Sequence, residues 1–211
     1  MLPGDPMSVG WAVTEHMDVA ILHPAITSRG GAEQVLWALA AGLDADVFAG
    51  YVDPEMVPEG ADVTALYGPV SSRVSRLAHA TDDLMAMLSF QSVPAVASYD
   101  AVIITKQNAT WYVPAPGQRL IWYVHNVPKH LYTHLGVSTS RLGMLGNVFK
   151  RTLYAPNLSY PDRFIANSES TAQDMMQYWA IPDEQVTVAY PTGTVQTDIT
   201  PAETPEQYYV Y

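Results

Sequence analysis

The chain contains no cysteine. Disulfides, thiolate metal sites and a cysteine nucleophile are thereby excluded, and a reducing, intracellular setting fits. Lysine is almost as scarce. Only Lys106, Lys129 and Lys150 occur in 211 residues, and ten Lys and Arg stand against 21 Asp and Glu, for a net charge of −11. So acidic a chain lacks the basic surface that displaces counterions from nucleic acid, and no nucleic-acid partner is expected. The acid is dispersed (Asp44, Asp46, Asp53, Glu55, Glu59, Asp62, Asp82, Asp83) and forms no tail. This fits a protein of a high-salt cytoplasm or an ordinary acidic domain, and it speaks to solubility before function. No apolar run reaches the roughly 18 residues of a membrane span. Residues 1–17 lack the basic start and continuous apolar region of a signal peptide and read as a loose leader.

Several motifs are missing too. There is no G-x-x-x-x-G-K-[ST], no G-x-S-x-G and no H-E-x-x-H. The first glycine turn is not G-x-G-x-x-G, so classical dinucleotide binding is weakly supported. His130 and His134 are four apart with no carboxylate beside them, which suits a surface pair better than a metal site. No metal is expected.

What is present is an alternation of apolar strands and helices, with 48% apolar residues to build a core. Asp18–His23 reads as a buried strand, Pro24–Arg29 as a loop, and Gly30-Gly31-Ala32-Glu33 as the turn into an apolar helix ending at Leu43. Further strands are expected over Asp46–Val52, Asp62–Tyr67, Tyr99–Thr105, Arg119–His125, Asp162–Asn167 and Val186–Tyr190. Helices are expected from Ser71-Ser72 to about Leu88, from Leu142 to Tyr154, and from Ser168, as N-cap, to Trp179. Residues 194–207 read as a linker. This pattern implies an α/β fold: a doubly wound, Rossmann-like parallel sheet covered on both faces.

In such sheets ligands bind at the carboxyl ends of the strands. That rule selects the loop to Gly31, Lys106-Gln107-Asn108, His125-Asn126 and Asn167-Ser168. Gly30 and Gly31 can take positive φ and let a ligand approach the backbone, at a helix end that favours phosphate; the plainer reading is a tight turn. His125 follows a run that should be buried and can carry a proton or hydrogen-bond a sugar or phosphate; a histidine satisfied by backbone carbonyls is the alternative. Arg29, Lys106 and Lys129 draw notice because cations are rare here. Trp111, Tyr112 and Tyr123 could stack on sugar rings or belong to the core.

Together these segments resemble a known family. Arg-Gly-Gly-Ala-Glu (29–33), Ile-Trp-Tyr-Val-His-Asn-Val-Pro-Lys-His-Leu-Tyr (121–132), Asp-Arg-Phe-Ile-Ala-Asn-Ser-Glu-Ser-Thr-Ala (162–172) and Val-Thr-Val-Ala-Tyr-Pro (186–191) are similar, in order and spacing, to the N-terminal domain of the family 4 retaining glycosyltransferases of the GT-B fold. The resemblance implies that residues 18–194 form the acceptor-binding Rossmann-like domain, and that 195–211 hold a linker and the first strand of a C-terminal donor domain. It implies transfer of a hexose from a nucleotide-sugar, as substrate and with no cofactor, to a glycan or lipid-linked acceptor with retention. It places the protein in the cytoplasm, with peripheral contact at the inner membrane face. By the same resemblance His125 is catalytic, while Gly30, Gly31, Glu33, Asn126, Lys129, Asn167 and Ser168 bind substrate or border the cleft. Lys129 stands where the family has arginine, keeping the charge without the bidentate fork. Pro191-Thr192-Gly193-Thr194 also departs from the family pattern. The donor-domain motifs, a basic pair and Glu-x7-Glu, are absent from the chain. A partner domain or subunit is therefore expected, and little activity without it. The competing expectation is a non-catalytic module that binds a glycan or a partner.

Overall fold

The computed structural model describes residues 17–68, 87–132 and 141–191. Residues 1–16 of the leader, most of the helix expected from Ser71, the linker and Tyr208–Tyr211 lie outside them. So do the side chains of His130 and His134.

Seven parallel strands form one sheet: β1 (Val19–Ile26), β2 (Asp46–Val52), β3 (Thr64–Ala65), β4 (Ala101–Ile104), β5 (Arg119–Val124), β6 (Arg163–Ala166) and β7 (Val186–Val188), in the order β3-β2-β1-β4-β5-β6-β7. The order reverses between β1 and β4, and at such a switch point the flanking connections leave to opposite sides and open a crevice. Three helices are described whole between strands, α1 (Gly31–Leu43), α2 (Arg141–Tyr154) and α3 (Glu169–Trp179), and residues 87–91 before β4 are helical too.

The period-two alternation of the strands sorts their side chains onto two faces. Val19 and Ile21 of β1, Val47 of β2 and Ala101 and Ile103 of β4 pack with Val35 and Leu36 of α1. Ala20, Leu22, Val102, Ile104, Leu120, Trp122 and Phe164 form the other core with Phe90, Met175 and Trp179. Trp122 stacks on Trp179 with ring centroids 4.9 Å apart, which docks α3. Apolar residues on both faces are what a doubly covered sheet requires.

The boundaries of β2 match expectation, and α3 runs to Trp179 as read. Its N-cap, Ser168, accepts from Thr171 N–H. β1 differs. It continues three residues past His23, through the expected loop, to Ile26. Proline is tolerated there because β4 has already ended: Ile104 pairs with Leu22, and beyond that point pairing is with β2 alone, through Ala25↔Tyr51 and Ile26↔Val52. Pro24 thus sits where the strand has become an edge. The strands expected at 62–67 and 99–105 are shorter than read, because pairing stops at Ala65 and Ile104.

Register also sets the strand ends at different heights. β4 stops at Ile104, opposite Leu22 of β1 and Trp122 of β5. β1 runs four residues further and β5 two. β4 is therefore recessed between taller neighbours, with Thr105 and Lys106 at the floor.

Gly50 of β2 lies in a close approach to β1. A Cβ there would lie 2.3 Å from the Pro24 carbonyl oxygen and 2.7 Å from the Tyr67 ring. Neither can be relieved by rotating one flexible side chain end. Gly50→Ala is expected to destabilise the domain by about 1–3 kcal/mol, the usual cost of overpacking. Urea unfolding at neutral pH checks this, and an unchanged midpoint would refute the close approach.

Candidate functional site

A connected set of polar side chains occupies the switch point. His23 is fully buried, and its Nδ1 lies 2.7 Å from Thr105 Oγ1. The Thr105 hydroxyl donates to the Leu22 carbonyl at 3.2 Å, which also accepts from Thr105 N–H. Nε2 faces Glu33 Oε1 at 3.6 Å. The same carboxylate oxygen accepts from Lys106 Nζ at 2.7 Å. Thr105 and His23 are hydrogen-bonded, Glu33 and Lys106 are paired, and between the two pairs the buried His23 Nε2 faces the Glu33 carboxylate with no hydrogen-bond partner among the described residues.

Glu33 is 5% exposed although it stands in the first turn of α1. Burial pushes its carboxyl up. The Lys106 hydrogen bond, its own backbone N–H and the Lys106 charge outweigh that and hold it below the usual carboxylate range. His23 is lowered to about 4 by burial and then by the Lys106 charge. His125 is lowered for the same two reasons, in the same order. Near neutral pH the site therefore holds one carboxylate, one ammonium and two neutral imidazoles.

The two glycines do not act through positive φ. Gly30 is extended (φ −81, ψ 177), and among the described glycines only Gly60 and Gly117 have positive φ. What Gly30 provides is room: a Cβ would lie 2.8 Å from Glu33 Oε2, so the carboxylate folds back over it. Gly31 has open space around its Cα. The start of α1 thus carries its own anion on one side and an open approach on the other.

His125 follows β5, its ring 5.1 Å from that of Tyr123. Its Nε2 is buried with no hydrogen-bond partner among the described residues. His125, Asn126, Lys106, Gln107, Thr105, Trp122 and Val124 line one small cavity. Asn126 is exposed. The other expected residues are engaged elsewhere. Lys129 Nζ lies 2.8 Å from Asp174 Oδ2 of α3. Asn167 Oδ1 accepts from Thr171 Oγ1 at 2.7 Å, so Asn167 and Ser168 together cap α3. Tyr112 and Tyr123 belong to the core, their hydroxyls bonded to Gln118 and to the Ala189 carbonyl. Arg29 donates to the Glu55 carbonyl. Among the described residues, no group of three or more His, Cys, Asp or Glu could hold a metal ion.

His23 and Thr105 were missed by sequence reasoning. A signal existed: His23 closes the apolar run Val19–Leu22 as His125 closes the run Leu120–Val124.

The family model for Glycosyltransferase Family 4 matches residues 29–192. The chain belongs to that family. It is similar in fold to the apo form of the lipopolysaccharide outer core galactosyltransferase WaaB, with TM-score 0.53 and 15% identity, over 90% of this chain and 50% of that one. WaaG, a glycosyltransferase involved in lipopolysaccharide biosynthesis, aligns with TM-score 0.52 and 12% identity, over 81% and 44%. A UDP-N-acetylglucosamine 2-epimerase aligns with TM-score 0.51 and 9% identity, over 82% and 48%. At such identities the likeness is one of fold, the Rossmann-like domain of a GT-B protein. The chain spans about half the length of these structures. No curated protein matches it by sequence.

The buried histidine makes stability depend on pH. An imidazole at about 4 when folded and 6.5 when free binds more protons unfolded, so stability falls as pH drops through that window. The full loss is roughly 3 kcal/mol. Glu33 acts in the same direction but only below its unfolded value of 4.5. Between pH 6.5 and 4.5 the stability advantage of wild type over His23→Asn should therefore shrink steadily in urea titrations. A constant difference would show that His23 is not held neutral.

Proposed function

We propose that the chain is the acceptor-side domain of an enzyme that transfers a hexose from a nucleotide-sugar to a glycan or lipid-linked acceptor with retention. The observation that carries this reading is the opening of Lys106 and His125 into one cavity at the switch point of a family 4 glycosyltransferase fold. A leaving diphosphate gains negative charge in the transition state, and fixed positive charge in a partly dry cleft stabilises it. Lys106 has three N–H donors and spends one on Glu33, so two remain for an anionic group. His125, neutral at working pH, is suited to exchange a hydrogen bond with a sugar hydroxyl rather than to supply charge. Gly31 leaves the start of α1 approachable, and Asn126 borders the opening. Asn167, Ser168 and Lys129 shape the rim through their caps and ion pair.

In this reading a donor domain, on the same polypeptide or a partner subunit, supplies the remaining cationic contacts. The nucleotide-sugar is a substrate, and no cofactor is called for. The second reading, a non-catalytic glycan-binding module, uses the same cavity without the transfer step. It is favoured by the commitment of Glu33 to an internal pair.

The test is a transfer assay on the full-length protein with labelled nucleotide-hexoses and a total lipid extract. At least one donor should yield product, with the donor's anomeric configuration by NMR. His125→Ala should lower turnover by roughly 100-fold or more, the scale of losing one preorganised contact, with an unchanged melting temperature. Glycan retention without transfer from any donor would replace the enzyme by the binding module.

A further inference from the structure

One contact at the switch point is left unmade. His23 Nε2 is buried 3.6 Å from Glu33 Oε1, beyond hydrogen-bonding distance, and has no partner among the described residues. On the other side of the ring the Thr105 hydroxyl donates to the Leu22 carbonyl, so its oxygen is an acceptor for Nδ1 at 2.7 Å. Both ring nitrogens thus face acceptors, and only a protonated imidazole carries a proton for each.

The surroundings keep that second proton away. The charged and titratable groups that act on the ring are Glu33 from α1, Lys106 from the loop after β4 and His125 from the end of β5, while β2 sets Ala49 beside it. Burial and the Lys106 charge disfavour the imidazolium, and Glu33 favours it. Of these influences the Lys106 charge is the one a ligand can reach: its side chain is 37% exposed, against 6% for Glu33 and 0% for His23. An anion bound at Lys106 cancels the ammonium's charge and leaves Glu33 a buried carboxylate short of its counter-ion, a costly state. Salt cations from solvent have no path to a carboxylate so deeply covered. A proton on His23 Nε2 needs only a shift of under ~1 Å to make a charge-assisted hydrogen bond with it.

We infer that His23 is a positioning residue of the cleft: when an anionic group occupies Lys106, His23 takes one proton from solvent onto Nε2, hydrogen-bonds Glu33 through it, and so replaces the ammonium as the carboxylate's partner. Lys106 is then released to the ligand. Anion binding is thereby coupled to proton uptake, and a rise in pH favours release of the anion. The inference rests on the assignment of Lys106 to an anionic group in the sugar-transfer reading and adds to it a residue that no ligand touches.

Inorganic sulfate is the probe, since its charge does not change over the pH range used. Protein labelled with nitrogen-15 at histidine is titrated with it and followed by NMR, the His23 ring being identified through its contact with Thr105. At about pH 5.5, between the buried value of about 4 and the free value of 6.5, the ring should be neutral without sulfate and largely protonated at saturation. Sulfate affinity should rise about threefold or more per unit as pH falls through this region, the slope for uptake of about half a proton or more. His23→Asn should remove most of that slope, and Lys106→Met should abolish binding. The NMR readout needs no variant, so it decides even where His23→Asn fails to fold. A His23 ring that stays neutral at saturation, or a slope that His23→Asn retains, would overturn the inference alone. No sulfate binding, or binding that Lys106→Met leaves unchanged, would overturn it together with the anion-binding role of Lys106.

Discussion

One buried carboxylate organises the carboxyl edge of this sheet. Glu33 lies in the first turn of α1, folded over Gly30 and held by Lys106 from the loop after β4. A buried charge is tolerable only when paired and hydrogen-bonded, and three elements supply what this one needs. α1 gives its positive end, Lys106 gives an ammonium, and His23 presents a ring nitrogen. In return the carboxylate fixes Lys106 where it can serve the cleft and ties β1, α1 and β4 together at the point where the strand order reverses. The pair is locally neutral, so the cleft is less cationic than three nearby basic side chains would suggest.

Most of the fold was legible because it follows from local periodicity. Apolar runs such as Asp46–Val52 have one stable use in a chain with helices between them, a strand covered on both faces. Ser168 could be read as a cap because its partner, Thr171, is three residues away. The misreadings share the opposite character. Pro24 looked like the end of a strand because the sequence does not show that β4 stops short. Gly30 looked like a conformational device, whereas what it accommodates is a side chain three residues on.

The site was legible in outline and opaque in detail for a related reason. His125 and Lys106 could be placed at the carboxyl edge by strand counting. The partnership of His23 with Thr105 spans 82 residues, and the capture of Lys129 by Asp174 spans 45. No local pattern encodes such pairs. They decide which polar groups remain available: Lys129, Asn167 and Ser168 are spent on structure, while Lys106 and His125 keep unused hydrogen-bonding capacity.

The recess over β4 sets a limit on what the edge can accept. Adjacent strands lie about 4.8 Å apart, so the walls formed by β1 and β5 stand about 10 Å apart, axis to axis. Side chains narrow that further. An α-helix, about 10–12 Å across with its side chains, is too thick to enter. A single flat ring presented edge-on, or a phosphate, is not. The short fourth strand therefore limits the thickness of whatever could lie between its two taller neighbours.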